Sequence, residues 1–73
     1  MTRAVRILRI GDVIQKTALS RSQIYRLIAL KEFPTQIRLG VRAAGWIEDE
    51  IDHWLLDRII KTRGTAAPGS VLL

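Results

Sequence analysis

The stretch ALSRSQIYRLIAL, residues 18–30, decides the fold because it combines a tight turn with the start of a capped helix. Ser20 is the predicted N-cap, since a serine hydroxyl accepts a hydrogen bond from a free amide in the first helical turn. Gln23 stands three residues later and completes the capping-box pattern SRSQ. We expect a helix over residues 21–30 with one apolar stripe, formed at helical spacing by Ile24, Leu27 and Ile28.

The opposite side of this predicted helix is polar and basic. At 100° per residue, Ser22, Arg26 and Ala29 point away from the apolar stripe, with Tyr25 beside them. This face is either an ordinary solvated helix surface or a surface that contacts a partner. Tyr25 has a further alternative, which is to pack on the preceding helix.

A short helix precedes the turn. Asp12 begins a predicted helix over residues 12–17, where its carboxylate suits the helix dipole, with Val13 and Ile14 inward and Lys16 outward. Residues 7–10 form a strand or the entry to this helix. Two short helices joined by a few residues predict a helix-turn-helix.

A small hairpin follows the second helix. Pro34 cannot continue a helix. Extended segments are predicted at 35–39 and 44–47, joined by the Gly-containing connection 40–43. The hairpin carries Arg38 and Arg42, so we expect a wing with a basic tip.

The last predicted helix has acids at its start and bases at its end, which matches the helix dipole. Gly64 fits the position just after the helix. Asp57 and Lys61 are spaced for an ion pair. The tryptophans are expected in the core, and the inward positions of this region are Ile47, Ile51, Trp54, Leu55 and Ile59. The predicted fold class is mostly α with a small β-hairpin wing, a winged helix-turn-helix over residues 1–64 followed by a flexible C-terminal tail, 65–73.

Composition narrows the class of protein. The 73 residues suffice for one domain, and the absence of cysteine excludes disulfides and thiolate metal sites. No apolar run approaches a membrane span or a signal peptide, so we expect a cytoplasmic protein without a membrane partner. Residues 1–45 carry nine Lys or Arg against two acids, whereas residues 46–73 carry three against five. The basic part suits a polyanion such as nucleic acid.

The sequence offers no evident catalytic, metal or cofactor site. His53 is the single histidine, and a histidine on an acidic helix is usually solvated. The acids 48–50 could suggest general acid–base catalysis, but they have neither a nucleophile nor an evident cleft beside them. Their favourable interaction with the positive end of the helix dipole explains them better. We therefore expect no enzymatic activity, no metal and no cofactor.

Double-stranded DNA is the predicted partner, because the second helix of a helix-turn-helix fits the major groove. Arg21 and Arg26 are predicted to contact base edges. Hydroxyl groups at the helix start donate to phosphates. The wing arginines reach the backbone or the minor groove. The full predicted set is Ser20, Arg21, Ser22, Tyr25, Arg26, Arg38 and Arg42.

Residues 7–60 resemble the AlpA family of prophage regulators and, more broadly, excisionase-like and MerR-like winged-helix domains. Three blocks carry the resemblance in the family's order: LSRSQIYRLI, EFPTQIRLG and GWIEDEIDHWL. Ala18 departs from the pattern, because similar sequences often have glycine there. The segment 41–43 has one basic residue where a second is common.

The resemblance implies a regulator of an integrase or excision gene in a prophage or mobile element, associated with the nucleoid. An architectural excision factor that bends attachment-site DNA is the first alternative. A protein–protein adaptor with a basic face is the second. Further partners expected are a second copy of the chain, as a dimer or a cooperative array on DNA, and a recombinase or RNA polymerase. The apolar end, residues 71–73, is a predicted self-contact.

Overall fold

In a computed structural model that describes residues 4–64, this part of the chain forms three strands and three helices. In chain order they are β1 (Ile7–Leu8), α1 (Ile10–Thr17), α2 (Arg21–Ala29), β2 (Ile37–Gly40), β3 (Ala43–Ile47) and α3 (Glu48–Arg63). The predicted tail, 65–73, and the predicted self-contact at 71–73 lie outside the described residues. Within residues 4–64, no helix is long and apolar enough to cross a membrane.

Helix α1 begins two residues earlier than the sequence predicted. Arg9 is its N-cap, and its backbone amide donates a hydrogen bond of 3.0 Å to the Asp12 carboxylate. Asp12 is therefore the third residue of the helix, where it satisfies an amide that has no partner within the helix. The prediction had assigned the start to Asp12 because an acid in any position of the first turn suits the dipole.

The turn between α1 and α2 is held by a threonine and closes on a left-handed residue. Thr17 donates from its hydroxyl to the Val13 carbonyl at 2.7 Å, and its oxygen accepts from the Leu19 amide at 3.2 Å. Ala18 has φ 63°, and its amide donates to the Ile14 carbonyl at 2.8 Å. This position favours glycine, since a Cβ in the left-handed region meets the following carbonyl.

Helix α2 has the predicted cap at its start and an unpredicted one at its end. The Gln23 amide donates to Ser20 Oγ at 3.1 Å, and the Ser20 amide donates to Gln23 Oε1 at 2.9 Å. The helix ends at Ala29, and Lys31 follows in the left-handed region with φ 62°. Lys31 and Glu32 donate their amides back to α2 carbonyls, as in a Schellman motif. The helix thus stops well before Pro34.

The predicted hairpin is present and belongs to a larger sheet. Strand β3 lies between β1 and β2 and is antiparallel to both, with Leu8 opposite Trp46 and Arg38 opposite Ala44. Gly45 is required in β3, because a Cβ there would stand 2.5 Å from the Ile7 side chain. Residues 7–10 were predicted to be either a strand or the entry to the first helix. Both occur, because residues 7–8 form β1 and Ile10 is the first residue of α1.

The core lies between the helices and the central strand. Its buried members are Leu8, Val13, Ile24, Phe33, Trp46 and Ile51. Trp54 and Leu55 of α3 are half-buried against it, but Ile59 is 46% exposed. The prediction that Ile59 points inward is wrong, because the sheet and the loop after α2 cover only one side of α3. Two short helices, a hairpin and a supporting helix make this a winged helix-turn-helix, as predicted.

Candidate nucleic-acid interface

Helix α2 presents the predicted polar face to solvent. Ile24 is fully buried, and Leu27 and Ile28 are half-buried beside it. Ser20, Arg21, Ser22 and Arg26, on the remaining sides, are all exposed. The apolar stripe therefore sets the orientation of the helix, and the hydroxyl and guanidinium groups are left free of the core.

Tyr25 connects α2 to the wing. Its side chain is 40% exposed, and its ring centroid lies 6.3 Å from that of Trp46 in β3, at an interplanar angle of 59°. Trp46 is almost fully buried and donates from Nε1 to the Pro34 carbonyl at 3.0 Å. The tyrosine ring therefore lies beside the buried tryptophan of β3, and this contact links α2 to the hairpin.

The wing carries the two other predicted residues. Arg38 lies in β2 and donates from Nη1 to the Val41 carbonyl at 3.4 Å, across the turn of the hairpin. Arg42 lies in the two-residue turn and is exposed. Both strands of the hairpin are antiparallel, with an irregularity between Arg38 and Gly40. The guanidinium groups are consequently presented at one end of the sheet.

The cations of α2 and of the wing form no ion pair with the described residues 4–64. This holds for Arg21, Arg26, Arg38 and Arg42, and also for Lys31 after α2. Lys61 of α3 is paired instead: its Nζ lies 3.1 Å from Asp57 Oδ2, as the sequence predicted. Because no acid neutralises these side chains, their guanidinium and ammonium donors stay available to an anion from outside the molecule, apart from the one that Arg38 gives to the Val41 carbonyl.

Lys16 is a structural cation that the sequence prediction treated as merely outward. Its Nζ lies 2.7 Å from Asp52 Oδ1 and 3.0 Å from Glu48 Oε2, so it joins α1 to the start of α3. The hydrogen bonds that Lys16 donates to the carboxylates of Asp52, first, and of Glu48 raise its pKa above 10.5. The partners are more than 30 residues away in the chain, so no local pattern indicated this contact.

The prediction also left out residues that the structure adds to the α2 face. Ala29 is exposed on the side that carries Ser22 and Arg26, and Leu30 is 58% exposed next to it. Ala29 had been assigned to this side by helical periodicity but not to the site. Leu30 was not assigned to this face because leucine is usually a core residue. Its exposure became evident only once the end of α2 was known.

His53 makes a contact within its own helix. The His53 ring nitrogen Nδ1 lies 2.8 Å from the Asp49 carbonyl oxygen, one turn earlier in the same helix. Among residues 4–64, no three His, Cys, Asp or Glu side chains gather in a way that would hold a metal ion.

Comparison with known proteins agrees with this architecture. Residues 6–59 match the family described as "Prophage CP4-57 regulatory protein (AlpA)". The chain is 49% identical over 61 residues to the "DNA-binding transcriptional activator AlpA" of Escherichia coli (strain K12), covering 75% of this chain and 87% of the relative. It is 43% identical over 54 residues to the "Uncharacterized protein ORF88" of Enterobacteria phage P4, covering 74% of this chain and 61% of that protein.

No solved structure matches the chain. The family match covers most of the sequence and includes α1, α2, the hairpin and the first three-quarters of α3. The relative from Escherichia coli is named as a DNA-binding transcriptional activator. On these grounds the chain belongs to the AlpA family of prophage regulatory proteins.

Proposed function

We propose that this protein is a DNA-binding transcription regulator of a prophage or mobile element, which inserts α2 into the major groove and contacts the flanking backbone with the wing. The observation that carries the proposal is that the exposed cations of α2 and of the hairpin have no acidic partner among residues 4–64. Phosphates supply the missing counter-charge, and their release of bound ions favours binding.

Roles within the interface follow from position. Arg26 stands on the exposed middle of α2, where a guanidinium reaches a base edge and pairs with guanine through two donors. Arg21 begins the helix and is the second candidate for a base edge. Ser22 follows it, in the first turn, where free amides and the dipole favour a phosphate. Ser20 accepts a hydrogen bond from Gln23, so its hydroxyl retains its proton to donate.

The wing and Tyr25 complete the proposed contact. Arg42, in the turn of the hairpin, serves the backbone or the minor groove without reading sequence. Arg38 uses one donor on the Val41 carbonyl and keeps others for a phosphate. Tyr25 holds α2 against β3 by its ring and presents its hydroxyl from the exposed part of the side chain.

The target that we propose is the control region of an integrase or excision gene, consistent with the prophage regulators to which the chain is related. Footprinting of the protein on DNA from its own genomic neighbourhood tests this assignment. Protection within a promoter, together with activation of a reporter, supports regulation. Strong bending of attachment-site DNA without an effect on transcription supports an excision factor instead.

The test of DNA binding is fluorescence anisotropy with labelled duplexes from that neighbourhood over a series of salt concentrations. We expect log Kd to rise linearly with log salt, with a slope that reports about 0.9 per phosphate neutralised. Arg26→Ala is expected to weaken binding strongly. Lys61→Ala is the matched control, because it removes one positive charge from α3, where Asp57 already pairs it.

Two results would contradict the proposal. One is the absence of binding to any duplex at low salt, which favours the adaptor with an acidic protein partner. The other is an equal loss of affinity in Lys61→Ala and Arg26→Ala, which would mean that net charge and not the α2 face determines binding.

A further inference from the structure

The solvent side of α3 carries a linear arrangement of four residues that the proposed DNA contact does not use. Asp52, Leu56, Ile59 and Arg63 follow one another at i, i+4, i+7 and i+11, so they lie on one side of the helix. Leu56 is 51% exposed and Ile59 is 46% exposed. We call these four residues the outer stripe.

The two ends of the outer stripe have opposite charge. The Asp52 side chain is 49% exposed, although one of its oxygens contacts Lys16, which is shared with Glu48. Arg63 is exposed and forms no ion pair with the described residues 4–64. The apolar centre is therefore bordered by an acid toward the start of α3 and by a base toward its end.

We propose that the outer stripe is a self-association surface, on which a second copy of this chain packs its own α3 in antiparallel orientation about a two-fold axis. An axis between residues 57 and 58 sets Leu56 against Ile59 of the partner subunit and Asp52 against the partner subunit's Arg63. The same axis repeats both contacts, as a closed dimer requires. A parallel arrangement would oppose like charges at both ends.

The charge pattern favours a second copy over an unrelated partner, because the stripe is complementary to itself when reversed. The contact is small: two half-exposed apolar side chains per copy fall short of the roughly 1,200–2,000 Å² of a stable interface. We therefore infer a weak dimer. It engages neither α2 nor the wing, so its existence does not depend on the proposed function.

Sedimentation equilibrium of the full chain tests the proposal, over concentrations from about 10 µM to about 1 mM, the range that a weak dimer requires. We expect the average mass to rise with concentration above the 8.3 kDa of one chain. Leu56→Glu is expected to raise the dissociation constant at least about tenfold, since it puts a charge into the contact. Val41→Glu is the matched control, because Val41 is 89% exposed on the hairpin.

A charge exchange tests the orientation. Asp52→Lys and Arg63→Glu each place like charges at both ends of an antiparallel dimer, so each variant alone is expected to be monomeric at low salt. Their equimolar mixture is expected to recover dimers, because each end then pairs opposite charges. Circular dichroism of each variant establishes that the helices are intact.

The proposal is overturned if the native chain has the mass of one copy over the whole range. It is also overturned if Val41→Glu weakens association as much as Leu56→Glu does, or if the charge-exchange mixture stays monomeric while Leu56→Glu leaves association unchanged. DNA binding is measured separately in the native chain, so the failure of this proposal is distinguishable from the failure of the regulator assignment.

Discussion

Helix α2 and the supporting helix α3 use charge in different ways. The arginines of α2 are exposed and have no acidic partner among residues 4–64, whereas α3 pairs Asp57 with Lys61 and shares Glu48 and Asp52 with Lys16. Both helices are anchored by one fully buried isoleucine. The same way of anchoring therefore supports a surface open to an external anion in α2 and, in α3, a surface on which Glu48, Asp52, Asp57 and Lys61 are held in ion pairs.

The largest effect is expected from the two anchors. Ile24→Ala in α2 and Ile51→Ala in α3 each remove a side chain that is 0% exposed, which should lower the free energy of unfolding by about 2–5 kcal/mol. Urea denaturation followed by circular dichroism measures both. Leu56→Ala, on the exposed side of α3, is the control and should change stability far less. A large difference between the two losses of unfolding free energy would show that α2 and α3 are not anchored in the same way.

Arg26 on α2 and Arg42 on the wing are expected to contribute to DNA binding in different ways. Arg26→Ala is expected to cost about 1–3 kcal/mol of binding to a specific site and to relax the preference at one base pair. Arg42→Ala should weaken all duplexes to a similar extent, because backbone contacts carry no sequence information. Competition binding with single-base variants of the footprinted site measures the distinction. Identical specificity profiles for the two variants would show that this division of roles is wrong.

The ends of α1 and α3 have the same left-handed backbone conformation but different residues in it. Both close on a left-handed residue, Ala18 at φ 63° and Gly64 at φ 84°. Ala18→Gly is expected to stabilise the protein by about 0.5–1 kcal/mol, and Gly64→Ala to destabilise it by about the same amount, since only glycine adopts this region without strain. Thermal unfolding reads both changes. A destabilised Ala18→Gly variant would contradict the strain that φ implies.

The smallest expected effect concerns pH. The folded-state pKa of Lys16 is raised above 10.5, first by Asp52 and then by Glu48, so the stability it contributes is complete below that pH. This contribution is lost as the pH rises through the folded-state pKa. The stability difference between the native chain and Lys16→Met should therefore shrink at alkaline pH. A difference that stays constant with pH would show that the ion pairs joining α1 to α3 contribute nothing.

Local patterns predicted the elements whose determinants are near in sequence. Ser20 and Gln23 specified the start of α2, and Gly64 specified the end of α3, because a cap needs only its own neighbours. The family resemblance also identified Ala18 as a departure from glycine, and the positive φ gives that departure a physical meaning. The exposure of the α2 face agrees with the periodicity, whereas the roles of its side chains toward DNA remain predictions.

Patterns failed where the outcome depended on distant parts of the chain. Ile59 has the helical spacing of a core residue, but the described residues leave it 46% exposed. Lys16 was predicted to point outward, and it does remain accessible, yet its partners come from α3. The end of α2 at Ala29 relies on a left-handed lysine, Lys31, which carries none of the usual sequence signals for such a conformation.

The sequence by itself determined the order of the elements, the cap at the start of α2, the excess of positive charge in residues 1–45 and the family to which the chain belongs. These features depend on residue type and short-range spacing. Only the tertiary structure decided that residues 7–8 add a third strand, that the Tyr25 ring lies beside Trp46 and that Leu56 and Ile59 stay about half exposed among residues 4–64. Each of these depends on which surfaces meet across the fold, and burial is a property of the assembled chain rather than of a segment.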